Sequence, residues 1–228
     1  MRLGVLFSGG KDSCLALMKA SEIKENTIVC LISILSKNKE SFMFHTPNIE
    51  ITKLQAKALE IPLVQKITEG IKEEELEDLE NVIKEVKKKY KLDGIVTGAL
   101  ASVYQASRIQ KICDKLRIKC VNPLWQKDQE DVLNEIIKNK FEVIISGVFA
   151  YPLDEKWLGK KIDREIIEKL VKLKEKYQTN PAGEGGEIET TVLDAPFFKK
   201  RIEITSSENK WDRNSGIFII KKAKLIDK

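Results

Sequence analysis

Histidine is almost missing from this 228-residue sequence, in which His45 stands alone. A Ser-His-Asp triad built on it stays open on paper, but a zinc site made from several histidines is excluded. Cysteine is scarce too, and Cys14, Cys30, Cys113 and Cys120 form no C-x-x-C pair. Cys113 and Cys120 have six residues between them, which matches no usual zinc or redox spacing. Four reduced thiols in mostly apolar segments is the plain expectation. Long apolar runs are absent as well. Stretches such as 28–35 are far too short to span a membrane. Met1 leads straight into a predicted strand with no signal peptide before it, so the cytosol is the expected compartment. No internal repeat and no low-complexity tract interrupts the chain.

What is present suits a soluble globular protein. At 42% hydrophobic and 33% charged residues, the chain can bury a core and is not of disordered composition. Its length fits one α/β domain with a small addition. The net charge of +5 comes largely from short groups such as Lys87-Lys88-Lys89 and Lys221-Lys222, where solvated lysine is the ordinary explanation. Neither a membrane nor a specific nucleic acid is expected as a partner. A monomer and an oligomer are equally compatible with this composition.

Along the first two-thirds, strand and helix patterns alternate. Residues 3–7, 27–35, 62–64, 94–97 and 141–146 read as strands, and 13–23, 51–59, 73–90, 102–116 and 129–137 as helices. This order implies a mostly parallel sheet with helices on both faces, whose ligands bind at the carboxyl ends of the strands. Three strand ends run into small or polar residues: Ser8-Gly9-Gly10, Thr97-Gly98-Ala99 and Ser146-Gly147. From Tyr151 the texture changes. A helix over 164–177 leads to a glycine-rich acidic segment and then to short strands over 189–193, 201–206 and 216–221. The expected division is a nucleotide-binding domain over 1–150 and a substrate-binding region over 151–228.

The first strand end carries the most chemistry. In Ser8-Gly9-Gly10-Lys11-Asp12-Ser13, two glycines between a buried strand and a helix let backbone N–H groups turn toward an anion. Lys11 adds a full positive charge, and the two serines can donate hydroxyl hydrogen bonds. Asp12 can hold a magnesium ion or orient Lys11. This is not the common P-loop, because Asp12 stands where a Ser or Thr should follow the lysine and Val5 where its first glycine should be. A plain Gly-Gly turn with a cap would need neither the lysine nor the aspartate.

S-G-G-K-D-S after a first strand resembles the PP-loop of the N-type ATP pyrophosphatases. The resemblance implies an adenine nucleotide alpha hydrolase-like fold: an open five-stranded parallel sheet with helices on both faces, here with a small C-terminal α+β region. It also implies cleavage of ATP to AMP and pyrophosphate while a substrate oxygen is adenylated. Over nearly its whole length the chain resembles the diphthine–ammonia ligase family. The matching stretches are Phe44-His45-Thr46, Gly98-Ala99, Ser102-Val103-Tyr104-Gln105 with Arg108, and Pro123-Leu124-Trp125. They continue through Leu153-Asp154, Trp157-Leu158-Gly159, Gly183-Glu184-Gly185-Gly186-Glu187-Ile188-Glu189-Thr190 and Val192-Leu193-Asp194-Ala195-Pro196. Ile188 departs from the family's usual aromatic residue, and Pro152 from its usual glycine.

The resemblance implies ATP-dependent amidation by ammonium of diphthine, a modified histidine on translation elongation factor 2, with ATP and magnesium as cofactors. It places ATP against Ser8, Gly9, Gly10, Lys11, Asp12, Ser13, His45, Thr97 and Gly98, with Asn48 near His45. Lys11, Asp12 and Arg108 are its catalytic candidates and Asp12 its metal ligand. Tyr104, Gln105, Trp157, Glu184, Gly185, Gly186, Glu187, Glu189 and Thr190 fall to the substrate. Diphthine carries a trimethylammonium group, which aromatic faces and carboxylates hold. Glu184, Glu187 and Glu189 with Tyr104, Trp125 and Trp157 are the candidates, although each aromatic residue taken singly fits ordinary core packing. Two rival readings remain: an RNA-modifying thiolase on the same nucleotide domain, and a non-catalytic regulator that binds adenine nucleotides. The first would need a reactive cysteine or a cluster-binding C-x-x-C pair.

Overall fold

The computed structural model describes residues 1–38, 47–71 and 74–228. Five parallel strands, β1 (Arg2–Leu6), β2 (Thr27–Ser36), β3 (Leu63–Thr68), β4 (Gly94–Val96) and β5 (Lys119–Val121), form one sheet in the order β3-β2-β1-β4-β5. Helices α1 (Lys11–Ser21), α2 (Thr52–Leu59), α3 (Glu74–Tyr90) and α4 (Val103–Lys115) connect them. Successive side chains on a strand point to opposite faces. Leu3, Val5, Phe7 and Leu31 therefore share a core with α1 and α2, while Cys30, Ile32 and Ile34 pack against α3 and α4. The expected five-stranded parallel sheet, covered by helices on both faces, is what the chain forms.

Helix α3 shows how the sequence sets one of these layers. Its Leu79, Val82, Ile83 and Val86 recur at helical spacing and are buried. Glu74, Glu75 and Glu77 occupy its first turn and Lys87, Lys88 and Lys89 its last, each sign where the helix dipole favours it. Burying each of those apolar side chains stabilises the fold by roughly 1.5–3 kcal/mol. Leu79→Ala, which would leave a void at a fully enclosed position, should cost about 2–5 kcal/mol.

The strand over residues 141–146 does not join the parallel sheet. As β6 (Glu142–Val148) it pairs antiparallel with β7 (Ile188–Asp194) and β9 (Ser215–Ile226), and β8 (Arg201–Asp212) completes a second sheet in the order β7-β6-β9-β8. A continuous apolar run reads the same in the middle of either kind of sheet, so its pattern could not choose. The fifth parallel strand is instead the three-residue β5, too short to leave a periodic signal. Ser146 and Gly147 thus lie inside an antiparallel strand, with Ser146 fully buried, rather than at a parallel strand end.

Helices α5 (Gln129–Lys138) and α6 (Arg164–Tyr177) are capped by Asp128 and Asp163, whose carboxylates accept backbone N–H bonds of the first turn. Their apolar stripes, Val132, Leu133 and Ile136 with Ile166, Ile167 and Leu170, enter the same core that holds Leu3 and Val5 of the first sheet and Val143 and Val192 of the second. One hydrophobic core therefore joins the two sheets. Among the described residues no helix is long and apolar enough to cross a membrane.

Candidate active site

In the order β3-β2-β1-β4-β5 the chain turns to one side after β1 and to the other at β4, which opens a crevice beyond the carboxyl ends of these two strands. The loop over residues 8–13 leaves β1 there, and Thr97-Gly98 leaves β4. The two approach closely: a Cβ placed on Gly98 would lie 2.9 Å from the carbonyl carbon of Asp12 and the amide nitrogen of Ser13. Only glycine fits between β4 and the start of α1.

Within the loop, the hydroxyl of Ser8 donates to Ser13 Oγ at 3.2 Å and the hydroxyl of Ser13 to the Gly10 carbonyl at 3.1 Å. Lys11 is 3% exposed, and its ammonium donates to Asp12 Oδ2 at 2.7 Å. The second carboxylate oxygen of Asp12 is buried with no hydrogen-bond partner. Helix α1 has no capping side chain of its own, because Gly10 occupies its N-cap. Thr190 supplies one from the second sheet, its Oγ1 accepting the Lys11 N–H at 3.1 Å.

The acidic segment forms the opposite wall. A cavity of about 470 Å³ is lined by Ser8, Gly10, Lys11, Asp12, Ser13, Thr97, Gly98, Tyr104 and Gln105 on one side and by Gly183, Glu184, Gly185, Gly186, Ile188, Glu189 and Thr190 on the other. Glu184 Oε2 accepts the Ala101 N–H at 2.9 Å, which ties the two walls together. Burial, with the negative charge of Asp12 nearby, raises the Glu184 carboxyl above its ordinary range against the pull of the Ala101 N–H and Lys11. Glu189 is pushed further, to about 7, because burial dominates and Lys11 offsets it only in part, with Asp12 and Glu184 adding to the rise.

Other expected site residues lie elsewhere. Glu187 holds the glycine loop together: Oε1 accepts from the Asn180 N–H at 3.0 Å and from its side-chain amide at 2.7 Å, and Oε2 from the Gly185 N–H at 2.8 Å. Trp157, in a 3-10 turn over Glu155–Trp157, packs on the main core, and neither it nor Trp125 reaches the cavity. Arg108 is not a lining residue; its guanidinium lies 3.5 Å from the centroid of the Tyr104 ring. Asn48 ties its loop to β9, its amide donating to the Phe218 carbonyl at 2.8 Å and its oxygen accepting the Ile220 N–H at 2.8 Å. His45 lies outside the described residues, as do Phe44 and Thr46. Gly9 does not line the cavity but turns the loop behind it.

The sequence reading missed the apolar wall of Leu6, Ile32, Ile34 and Ile109, whose residues look like ordinary core. Ser102 was also missed; it lines the cavity and caps α4, Oγ accepting the Gln105 N–H at 3.3 Å. A serine ahead of a helical stripe was the available signal.

Residues 1–120 match the model of the diphthamide synthase N-terminal domain and residues 128–226 that of the diphthamide synthase C-terminal domain. The diphthine–ammonia ligase of Homo sapiens is 36% identical over 227 residues, covering 91% of this chain and 84% of that protein. The Bos taurus enzyme is 37% identical over the same shares. The Schizosaccharomyces pombe enzyme is 36% identical, and there the match spans only 37% of its length. Among solved structures, a predicted subunit of tRNA methyltransferase from Methanocaldococcus jannaschii overlaps 86% of this chain and 98% of its own at 18% identity and a TM-score of 0.46, a likeness too loose to argue from. With both family models matched in order along the sequence, and relatives 36% and 37% identical over 91% of the chain, the chain belongs to the diphthamide synthase family.

Proposed function

We propose that this protein is an ATP-dependent diphthine–ammonia ligase, amidating the carboxylate of diphthine on translation elongation factor 2 through an acyl-adenylate. The observation that carries the reading is the shared cavity, in which the phosphate loop faces Glu184 and Glu189 and Thr190 bonds the Lys11 N–H. A nucleotide site and a cation-selecting site stand against one another there, as a ligase that adenylates a cationic acid requires.

The chemistry follows from the substrates. A carboxylate does not react with ammonia at neutral pH, because oxide is a very poor leaving group. Attack of a carboxylate oxygen on the α-phosphate of ATP expels pyrophosphate and leaves AMP as the group that ammonia displaces. Lys11 and the amides of the loop neutralise the phosphates. The buried, unpartnered oxygen of Asp12 fits a magnesium ion. Among the described residues no three His, Cys, Asp or Glu side chains gather as a ligand set, so phosphate oxygens and water would complete its shell. When bound, magnesium screens the phosphate charge and favours departure of pyrophosphate. Leu6, Ile32, Ile34 and Ile109 offer an apolar surface for the purine.

Glu184 and Glu189 hold the trimethylammonium of diphthine, which offers no hydrogen bond and must be recognised by charge and contact. The Arg108 guanidinium over the Tyr104 ring moves this task from an aromatic cage to the two carboxylates. Arg108 then acts by fixing Tyr104, which lines the cavity, rather than by touching phosphate. For the division of the chain, expected at residue 150, we favour a boundary between β5 and α5, because β6 pairs with the second sheet. The cytosol, where elongation factors work, is the compartment that suits the reaction.

The thiolase reading is not favoured. Cys14, Cys30 and Cys113 are buried, Cys120 is half-buried, and none lines the cavity. The test incubates purified protein with ATP, magnesium, ammonium and elongation factor 2 carrying diphthine, and follows AMP, pyrophosphate and the mass of the factor. AMP without a mass change would mean a different acceptor. No ATP-dependent product at all would sink the ligase reading.

A further inference from the structure

We infer that Gln55, a residue of helix α2 outside every motif of the chain, is a positioning residue for the ATP phosphates. It acts through the carbonyl of Gly9, and the inference rests on the reading of residues 8–13 as the phosphate loop.

Gln55 is fully buried, although it sits between the exposed Lys53 and Lys57 on its helix. A buried amide is costly unless its hydrogen bonds are made, and in Gln55 only those of the nitrogen are, Oε1 being buried with no hydrogen-bond partner among the described residues. Its Nε2 donates to the Gly9 carbonyl at 2.9 Å and to the Val192 carbonyl at 2.8 Å, joining the phosphate loop to β7. The Val192 N–H donates to the same Gly9 carbonyl at 3.0 Å. Two donors from different elements therefore fix this oxygen. The side chain also lies flat against the loop: a Cβ on Gly9 would stand 2.2 Å from Gln55 Oε1, and Gly9 has a φ of 78°. Gly9 is glycine on both grounds.

The consequence for the ligand comes from peptide geometry. In a planar trans peptide the carbonyl and the following N–H point in opposite directions. Pulling the Gly9 carbonyl toward Gln55 and β7 turns the Gly10 N–H the other way, toward the cavity-lining Ser8, whose Oγ accepts it only at 3.4 Å. So weak an internal bond leaves that N–H ready for a phosphate oxygen. Without Gln55 the carbonyl keeps one donor, the 9–10 peptide can rotate, and an anion-binding donor loses its direction. Preorganised donors of this kind contribute because they need no reorientation when the charge arrives.

Direct binding tests the inference without knowledge of the acceptor. Wild type and Gln55→Leu are titrated with ATP and with AMP, which lacks the two outer phosphates, and the melting midpoint of each is recorded. The expected result is a loss of ATP affinity of about tenfold in a folded variant, the scale of one buried hydrogen bond, with AMP affinity little changed. An equal loss for both nucleotides, or no loss for either, overturns the inference while leaving the ATP site in place. Failure of the wild type to bind ATP overturns the phosphate-loop reading itself.

Gln55→Glu guards against a Leu variant that does not fold. A carboxyl there can donate to a carbonyl only when protonated, so the ATP affinity of this variant, relative to wild type at each pH, should recover as pH is lowered. A ratio that does not move with pH counts against the positioning role, because a purely space-filling side chain would behave in that way.

Discussion

On the Lys11 side of the cavity most of the polar groups are neighbours in sequence, from Ser8 to Ser13, joined by the end of β4 and the start of α4. On the acidic side, Glu184 and Glu189 owe their place to a loop and a strand that reach the phosphate loop from 179 residues away, measured at the bond between Lys11 and Thr190. The difference also shows in how the charges are treated. Lys11 meets an opposite charge in Asp12 at 2.7 Å, whereas Glu189 has burial and two like charges around it, with Lys11 as its only offset. A local motif can balance its own charges. The distant wall carries carboxyls whose charge burial disfavours and Lys11 offsets only in part.

Removing one side at a time breaks the comparison most directly. Asp12→Ala should reduce AMP release by about 100-fold or more in a protein that remains folded, since it disrupts the Lys11 pair and the proposed metal ligand together. Full activity in a pyrophosphate-release assay would refute the proposed mechanism. Glu184→Gln keeps the hydrogen bond to Ala101 but removes the charge. It should raise KM for the diphthine-bearing substrate by about tenfold while ATP affinity, followed by direct titration, stays nearly unchanged. A matching loss for ATP would mean that the two walls do not divide the work.

Gly98→Ala tests the close approach on the phosphate side. A methyl against the backbone of Asp12 and Ser13 has no flexible side chain to push aside, so a cost of about 1–3 kcal/mol is expected in denaturant unfolding, with weaker ATP binding.

The raised carboxyl of Glu189 makes a prediction about pH. Its folded form binds the proton more tightly than the unfolded chain does, so its contribution to stability falls as pH rises from 4.5 toward about 7 and the deficit is complete above that. Glu189→Gln should therefore match wild type in acid but be more stable above neutrality, by about 1–2 kcal/mol once partial solvent access is allowed for. Unfolding curves at the two ends of the window decide it; equal stability at both would mean that the carboxyl is not under strain. The smallest effect expected is that of Ser102→Ala, which removes the cap of α4 and should cost about 1 kcal/mol in the same measurement.

Legibility followed the same division. The turn from β1 into α1 could be read because a glycine pair follows directly on a buried strand and precedes a helical pattern. The helix patterns of α3 and α4 were equally plain, since apolar residues recur at helical spacing. Residues 141–146 were misplaced because an apolar run says that a strand is buried and nothing about which strands flank it. Trp157 and Glu187 carried the right chemistry at the wrong place. One packs on the core and the other closes its own loop through Asn180 and Gly185. Gln55 gave no signal at all, because a glutamine set between Lys53 and Lys57 looks like a solvated one.

The sequence by itself determined the glycine turn after β1, the helices and most of the strands, and, through resemblance, the family. These rest on contacts between residues close in the chain, or on motifs whose order along it is enough. Only the tertiary structure decided that Thr190 caps α1, that Gln55 and Val192 hold the Gly9 carbonyl, and that Glu184 and Glu189 face Lys11 across one cavity. Those contacts join groups far apart in sequence, and they exist because β7 lays its edge along the turn between β1 and α1. The turn after β1 therefore does not set its own geometry; the second sheet supplies partners that fix it.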